Sequence, residues 1–162
     1  MADDAFVYTT YIGTSPERLW RALTDPAFTR RYWGATFDTD WAPGSPMVWH
    51  YAGATATGPE QVVLESYPYR RLAYTWHTFT PEMGAATGMD EETLARLTAE
   101  PRSKVTFDIE PVEEGVRLTV VHDGFEPGGA LLAGIGEGWP RILSALKTLL
   151  ETGDEALEAA AR

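Results

Sequence analysis

The first apolar run, Phe6 to Ile12, is rich in aromatic and β-branched residues and predicts a strand closed by Gly13-Thr14. Ser15-Pro16-Glu17 then starts a helix. Ser15 caps it, Pro16 takes the first helical position and Glu17 suits the positive end of the dipole, while Leu19, Trp20 and Leu23 supply one apolar face. Asp25-Pro26 repeats the signal and opens a second short helix through Phe28 to about Tyr32. Beyond it the period falls to two. Strands are predicted within Trp33–Trp41 and over Met47–Tyr51, Gln61–Tyr67, Arg71–Phe79, Lys104–Glu110 and Val116–His122, with a turn region of Gly-Ala-Thr after Tyr51. Alternation places Met47, Trp49 and Tyr51 on one face of their strand, Leu72, Tyr74, Trp76 and Thr78 on one face of theirs, and Val105, Phe107 and Ile109 inward on the next. Val116, Leu118, Val120 and His122 share the inner face of the last strand, which Glu113-Glu114-Gly115 joins to the preceding one as an antiparallel hairpin.

The C-terminal pattern steps by four and three: Ile135, Trp139, Ile142, Leu146 and Leu149, widened by Leu143 and Leu150. This is a long helix. Pro140 lies inside it and cannot donate to the carbonyl four residues back, so a kink or a restart is expected near Gly136–Pro140. The order is one strand, two short helices, six strands and one long helix. An antiparallel sheet with so apolar an inner face needs a cover, and the terminal helix is the only element long enough to provide it.

Residues 80–101 interrupt the strand pattern. They contain Gly84, Gly88 and Asp90-Glu91-Glu92-Thr93-Leu94-Ala95-Arg96-Leu97, in which Asp90 caps a short helix with Leu94 and Leu97 as its apolar side. The segment reads as a lid-like insertion bordering a cavity mouth. The expected organisation is a single domain over 1–153 and an acidic tail over 154–162.

The local motifs sharpen this layout. Phe6 to Tyr11 followed by Ser15-Pro16-Glu17-Arg18-Leu19-Trp20-Arg21-Ala22-Leu23-Thr24-Asp25-Pro26 is similar to the opening of the SRPBCC superfamily, and Arg71-Leu72-Ala73-Tyr74-Thr75-Trp76 resembles its central strand. Gly138 to Gly153 resembles the terminal helix of the branch of activator-of-heat-shock-protein-90-ATPase-like proteins. The resemblance covers nearly the whole chain. It implies an α+β helix-grip fold: a curved antiparallel sheet of about seven strands wrapped on a long C-terminal helix, with two short helices after strand 1. Relatives in that superfamily include lipid-transfer and polyketide-cyclase proteins, so the resemblance is specific for fold and weak for function.

Composition narrows the chemistry. The chain has 162 residues and no cysteine, which excludes disulfides, thiolate metal sites and cysteine nucleophiles. Its net charge is −11, and basic pairs occur only at Arg30-Arg31 and Arg70-Arg71, which argues against nucleic acid and against an anionic membrane surface. Residues 1–5, 80–101 and 151–162 carry net −2, −4 and −3, so the rest of the chain holds only −2 and the acidity reads as solubility. Met1-Ala2-Asp3-Asp4-Ala5 gives no signal peptide, and a cytoplasmic location is expected.

No elbow, P-loop or dinucleotide motif occurs, and neither a cofactor nor a catalytic residue is assigned. His50, His77 and His122 lack metal-ligand spacing, so no metal site is expected. His122 is the sharpest polar candidate. It reads as a strand-end histidine with satisfied hydrogen bonds, or as a pocket acid–base group. The inward residues are otherwise unusually aromatic. Trp49, Tyr51, Tyr74, Trp76, Phe107, His122 and Trp139 are expected to line one concave space against the terminal helix. The function expected first is non-catalytic binding of a small hydrophobic or aromatic molecule there. A cyclase- or aromatase-like enzyme using His122 and a pocket tyrosine ranks second, and a chaperone-interacting module third. A homodimer is left open.

Overall fold

The computed structural model describes residues 5–51, 53–56, 61–76, 81–99, 103–125 and 130–152, with the side chains of 83 and 130–134 also left aside. The elements run β1 (Phe6–Ile12), α1 (Pro16–Thr24), α2 (Pro26–Tyr32), β2 (Ala35–Asp38), β3 (Val48–Tyr51), β4 (Ala54–Ala56), β5 (Val63–Tyr67), β6 (Arg71–Trp76), α3 (Pro81–Ala86), α4 (Glu91–Ala99), β7 (Ser103–Val112), β8 (Gly115–Asp123) and α5 (Ala130–Thr152). This is the expected α+β helix-grip architecture.

Cap chemistry forms the opening. The Ser15 hydroxyl accepts the Arg18 N–H at 3.1 Å, and the Asp25 carboxylate accepts the Ala27 N–H at 2.9 Å. Asp25 also closes α1, because its own N–H donates to the Arg21 carbonyl at 2.7 Å. One residue thus ends one helix and begins the next. Between them the two helices bury Leu19, Ala22, Leu23, Phe28 and Tyr32.

All strand pairings are antiparallel. Five strands pair in the order β1-β8-β7-β6-β5 and three in the order β2-β3-β4. The Pro46–Val62 bridge, with Met47 N–H donating to the Gln61 carbonyl and Val63 N–H to the Ser45 carbonyl, joins the two ladders. Among the described residues the two ladders together hold eight strands, in keeping with the expectation of about seven. The one not expected is β4, in the stretch expected to be a turn. Ala54 and Ala56 are too small to announce a strand, and their conformation comes from pairing with Tyr51 and Trp49.

α5 packs against β1, α1, α2 and α4 and buries Ile135, Trp139, Leu143, Leu146, Leu149 and Leu150. It continues without a break through Pro140, so the restart considered above does not occur. Facing it, Leu72, Val105, Phe107, Ile109, Leu118 and Val120 fill the inner side of the sheet. Residues 80–101 hold two helices where one was expected, α3 as well as α4. Within the described residues, no helix is long and apolar enough to cross a membrane.

Candidate functional site

The inner face of β6, β7 and β8 meets α5 near the helix's middle, at Trp139, in a continuous cluster of rings. Trp76 is central. It stacks on Trp33 with centroids 5.6 Å apart, stands edge-on to Trp49 at 4.9 Å, and contacts Trp139 at 5.4 Å and the His122 ring at 5.0 Å. Trp49 meets Phe37 at 4.8 Å and Tyr74 at 5.8 Å. Phe107 bridges Tyr74 and Trp139 at 5.8 and 5.7 Å. Edge-on and offset arrangements suit the ring quadrupoles and add to the burial energy. Trp49, Tyr74, Phe107, His122 and Trp139 are buried, whereas Trp33, Trp76 and Phe125 are only partly covered and form the outer edge of the cluster.

Tyr51 does not join them. It is 38% exposed, although alternation groups it with buried Met47 and Trp49. It is the last residue of β3, flanked by Ala35 and Ala54, and its ring lies over Gly34. Trp33, Phe37, Trp41, Phe125 and Ser103 enter the site without having been singled out. Phe37 was legible by alternation with Ala35. Trp33 and Phe125 lie at junctions, where no period speaks for them. Trp41 adopts φ +59°, a left-handed conformation costly for a bulky residue, and its ring contacts Phe37 and Tyr74.

His122 is held by a directional chain. The Trp139 indole N–H donates to Nδ1 at 3.1 Å, so the ring proton resides on Nε2. Nε2 in turn donates to the Ser103 hydroxyl at 2.8 Å, and that hydroxyl donates to the Trp76 carbonyl at 3.1 Å. Burial pushes the His122 pKa down to about 3, so the ring is neutral at ordinary pH. Both nitrogens are engaged, and neither offers a free lone pair to an acid–base reaction. Burial likewise pushes the Tyr74 hydroxyl well above its ordinary value, leaving it protonated.

The other histidines lie elsewhere or outside the described residues. His50 sits on the outer face of the small ladder, with Nε2 2.9 Å from Asp38 Oδ2 and Nδ1 3.2 Å from the Thr55 hydroxyl. His77 lies outside the described residues. Among those described, no group of three or more His, Asp or Glu is placed to hold a metal.

The insertion leaves the sheet at the site. Its ends follow Trp76 and precede Ser103, which face each other in the β6–β7 ladder. The Glu82 carboxylate accepts the Thr55 N–H of β4 at 2.6 Å, Asp90 accepts the Thr93 N–H at 2.7 Å, and Leu97 is buried. A shallow groove of about 690 Å³ runs between α3 and α4, past Ala85, Met89, Leu94 and Ala95. A larger one, about 970 Å³, lies on the outer face of the sheet. Its Arg71 is shared by Glu65 and Asp108, and its Arg117 pairs with Glu110, so its charges are largely satisfied. It is turned away from the rings.

Protein MLL2253 from Mesorhizobium loti is 28% identical, with 93% of this chain and 98% of that one covered and a TM-score of 0.72. The Aha1 dimer from Colwellia psychrerythraea is 20% identical over 95% of this chain and 99% of that one, with a TM-score of 0.66. CalU16 from Micromonospora echinospora is 20% identical over 97% and 86%, with a TM-score of 0.65. A search of curated proteins returned no match. The family model described as "Activator of Hsp90 ATPase homolog 1-like protein" matches residues 13–151. The chain, with its two capped helices, antiparallel sheet and terminal helix, belongs to this family, within the SRPBCC superfamily.

Proposed function

We propose that this protein binds a small apolar or aromatic molecule between the inner face of the sheet and α5, without carrying out a reaction on it. Trp49, Tyr74, Trp76, Phe107, His122 and Trp139 form the binding surface, and residues 80–101 act as the lid. The observation that carries this reading is the half-covered Trp33–Trp76 stack, which offers aromatic surface at the edge of a buried ring cluster. A core with no use for such an edge gains more by burying it.

Family membership supports the reading, as does likeness in fold to CalU16 and to DynU16, a protein of the dynemicin biosynthetic locus that is 19% identical over 93% of this chain and 48% of that one. Proton transfer by His122 gains no support, because Trp139 and Ser103 occupy both of its nitrogens. Native mass spectrometry of the protein purified from its source tests the proposal. The expected result is an added mass of small-molecule size that leaves on mild activation. A bare polypeptide mass, together with failure to bind any aromatic probe, overturns it.

A further inference from the structure

Trp49 holds a polar atom that nothing in its surroundings uses. Its side chain is only 3% exposed, and its indole N–H has no acceptor within hydrogen-bonding distance among the described residues. The neighbours explain why. Phe37, Tyr74, Trp76 and Trp33 surround the ring at centroid distances of 4.8 to 6.3 Å, and the first, third and fourth of these side chains have no acceptor atom. A buried donor left unmade costs as much as a lost hydrogen bond, and Trp side chains usually find a partner when buried. Trp139, by contrast, has its indole N–H matched to His122 Nδ1 at 3.1 Å. Phe would fill much the same flat space at Trp49 with no polar penalty.

We infer that Trp49 is the specificity-determining donor of the ring-lined site, and that the ligand class is a planar aromatic molecule bearing a hydrogen-bond acceptor, such as a ring carbonyl. This rests on the binding role proposed above. Flat surface is set by the rings, and the acceptor by the sense of the orphan group: an N–H cannot accept, so a ligand presenting a hydroxyl must do so through its oxygen. The same site disfavours an acceptor-free hydrocarbon, which leaves the donor unmade, and discrimination of this kind is how sites built around a buried polar group select.

Fluorenone and fluorene are matched probes, planar and alike except for the carbonyl. Binding is followed by quenching of tryptophan fluorescence in the full chain and in Trp49→Phe. The expected result is a preference for fluorenone of roughly tenfold in the natural protein, and a ratio of the two affinities that falls to about one in Trp49→Phe, whatever the variant does to the affinity for either probe. A second reading needs no variant: the indole N–H resonance of Trp49 shifts downfield with fluorenone and not with fluorene. Equal affinity for the two probes, a preference that survives Trp49→Phe, or an unshifted resonance overturns the assignment of the donor while leaving ligand binding standing. Failure of both probes to bind removes the binding role itself, and this inference with it.

Discussion

His122 is neutral because its surroundings are built for a neutral ring. Trp139 donates into Nδ1, and an imidazolium would present a second donor there. The folded-state pKa, pushed down to about 3 by burial, lies below the ordinary 6.5 of an unfolded chain. Between those values the unfolded state holds the extra proton. Stability from this residue is therefore complete above pH 6.5 and is lost as pH falls toward 3, by up to ~1.4 kcal/mol per pH unit. Denaturation midpoints measured from pH 7.5 to pH 5 should fall more steeply for the natural protein than for His122→Gln, and equal slopes would contradict the account. Gly115 is a second residue with a local reason for its identity. It closes the β7–β8 hairpin with φ +150°, and a Cβ there would lie 2.2 Å from the Ile12 carbonyl oxygen. That neighbour is backbone and cannot swing aside. Gly115→Ala is expected to cost roughly 1–3 kcal/mol, read as a lowered urea midpoint.

The elements differ in how far they announce themselves in the sequence. α1 and α2 do so because Ser15, Asp25, Pro16 and Pro26 act within one turn of themselves. β3, β6, β7 and β8 do so by alternation, which also brings Trp49, Tyr74, Trp76, Phe107 and His122 to the inner side. β4 and α3 stay silent because their causes are tertiary. Ala54-Thr55-Ala56 becomes a strand by pairing with β3. In α3, Gly84 lets the helix approach α4 so closely that a Cβ would meet Leu94 Cδ2 at 2.9 Å. Tyr51 is exposed because it ends β3 between two alanines too small to cover its ring, which alternation along its own strand does not show. The partner of His122 was half legible: Ser103 lies two residues before Val105, on the same face, but only the β7–β8 register brings the two side chains together. The insertion is fastened at β4 through Glu82 and Thr55. If it works as a lid, this contact is its latch. In Glu82→Ala the Thr55 amide is expected to exchange with deuterium faster than in the natural protein, while amides of β7 and β8 stay protected. Unchanged exchange at Thr55 would remove Glu82 from that role.

At the scale of the whole molecule, the antiparallel order β1-β8-β7-β6-β5 returns the chain's last strand to its first and lays α5 across the inner face. The ring cluster meets that helix near its middle, at Trp139, and lies beside the β6–β7 pair from which residues 80–101 depart, so one region of the molecule combines aromatic surface and a satisfied neutral histidine. Trp76 joins these parts, touching Trp33, Trp49, Trp139 and the His122 ring. Being only partly buried, it can be shortened for less than the ~3–5 kcal/mol of a fully buried tryptophan. The central claim, that these rings bind a small apolar molecule, is tested most directly by titrating the natural protein and Trp76→Ala with the neutral dye N-phenylnaphthylamine. The account predicts saturable enhancement of dye fluorescence at one site per chain, abolished in a Trp76→Ala protein whose circular dichroism and cooperative unfolding are retained. Equal dye binding by a folded Trp76→Ala, or no saturable binding by the natural protein, would contradict it.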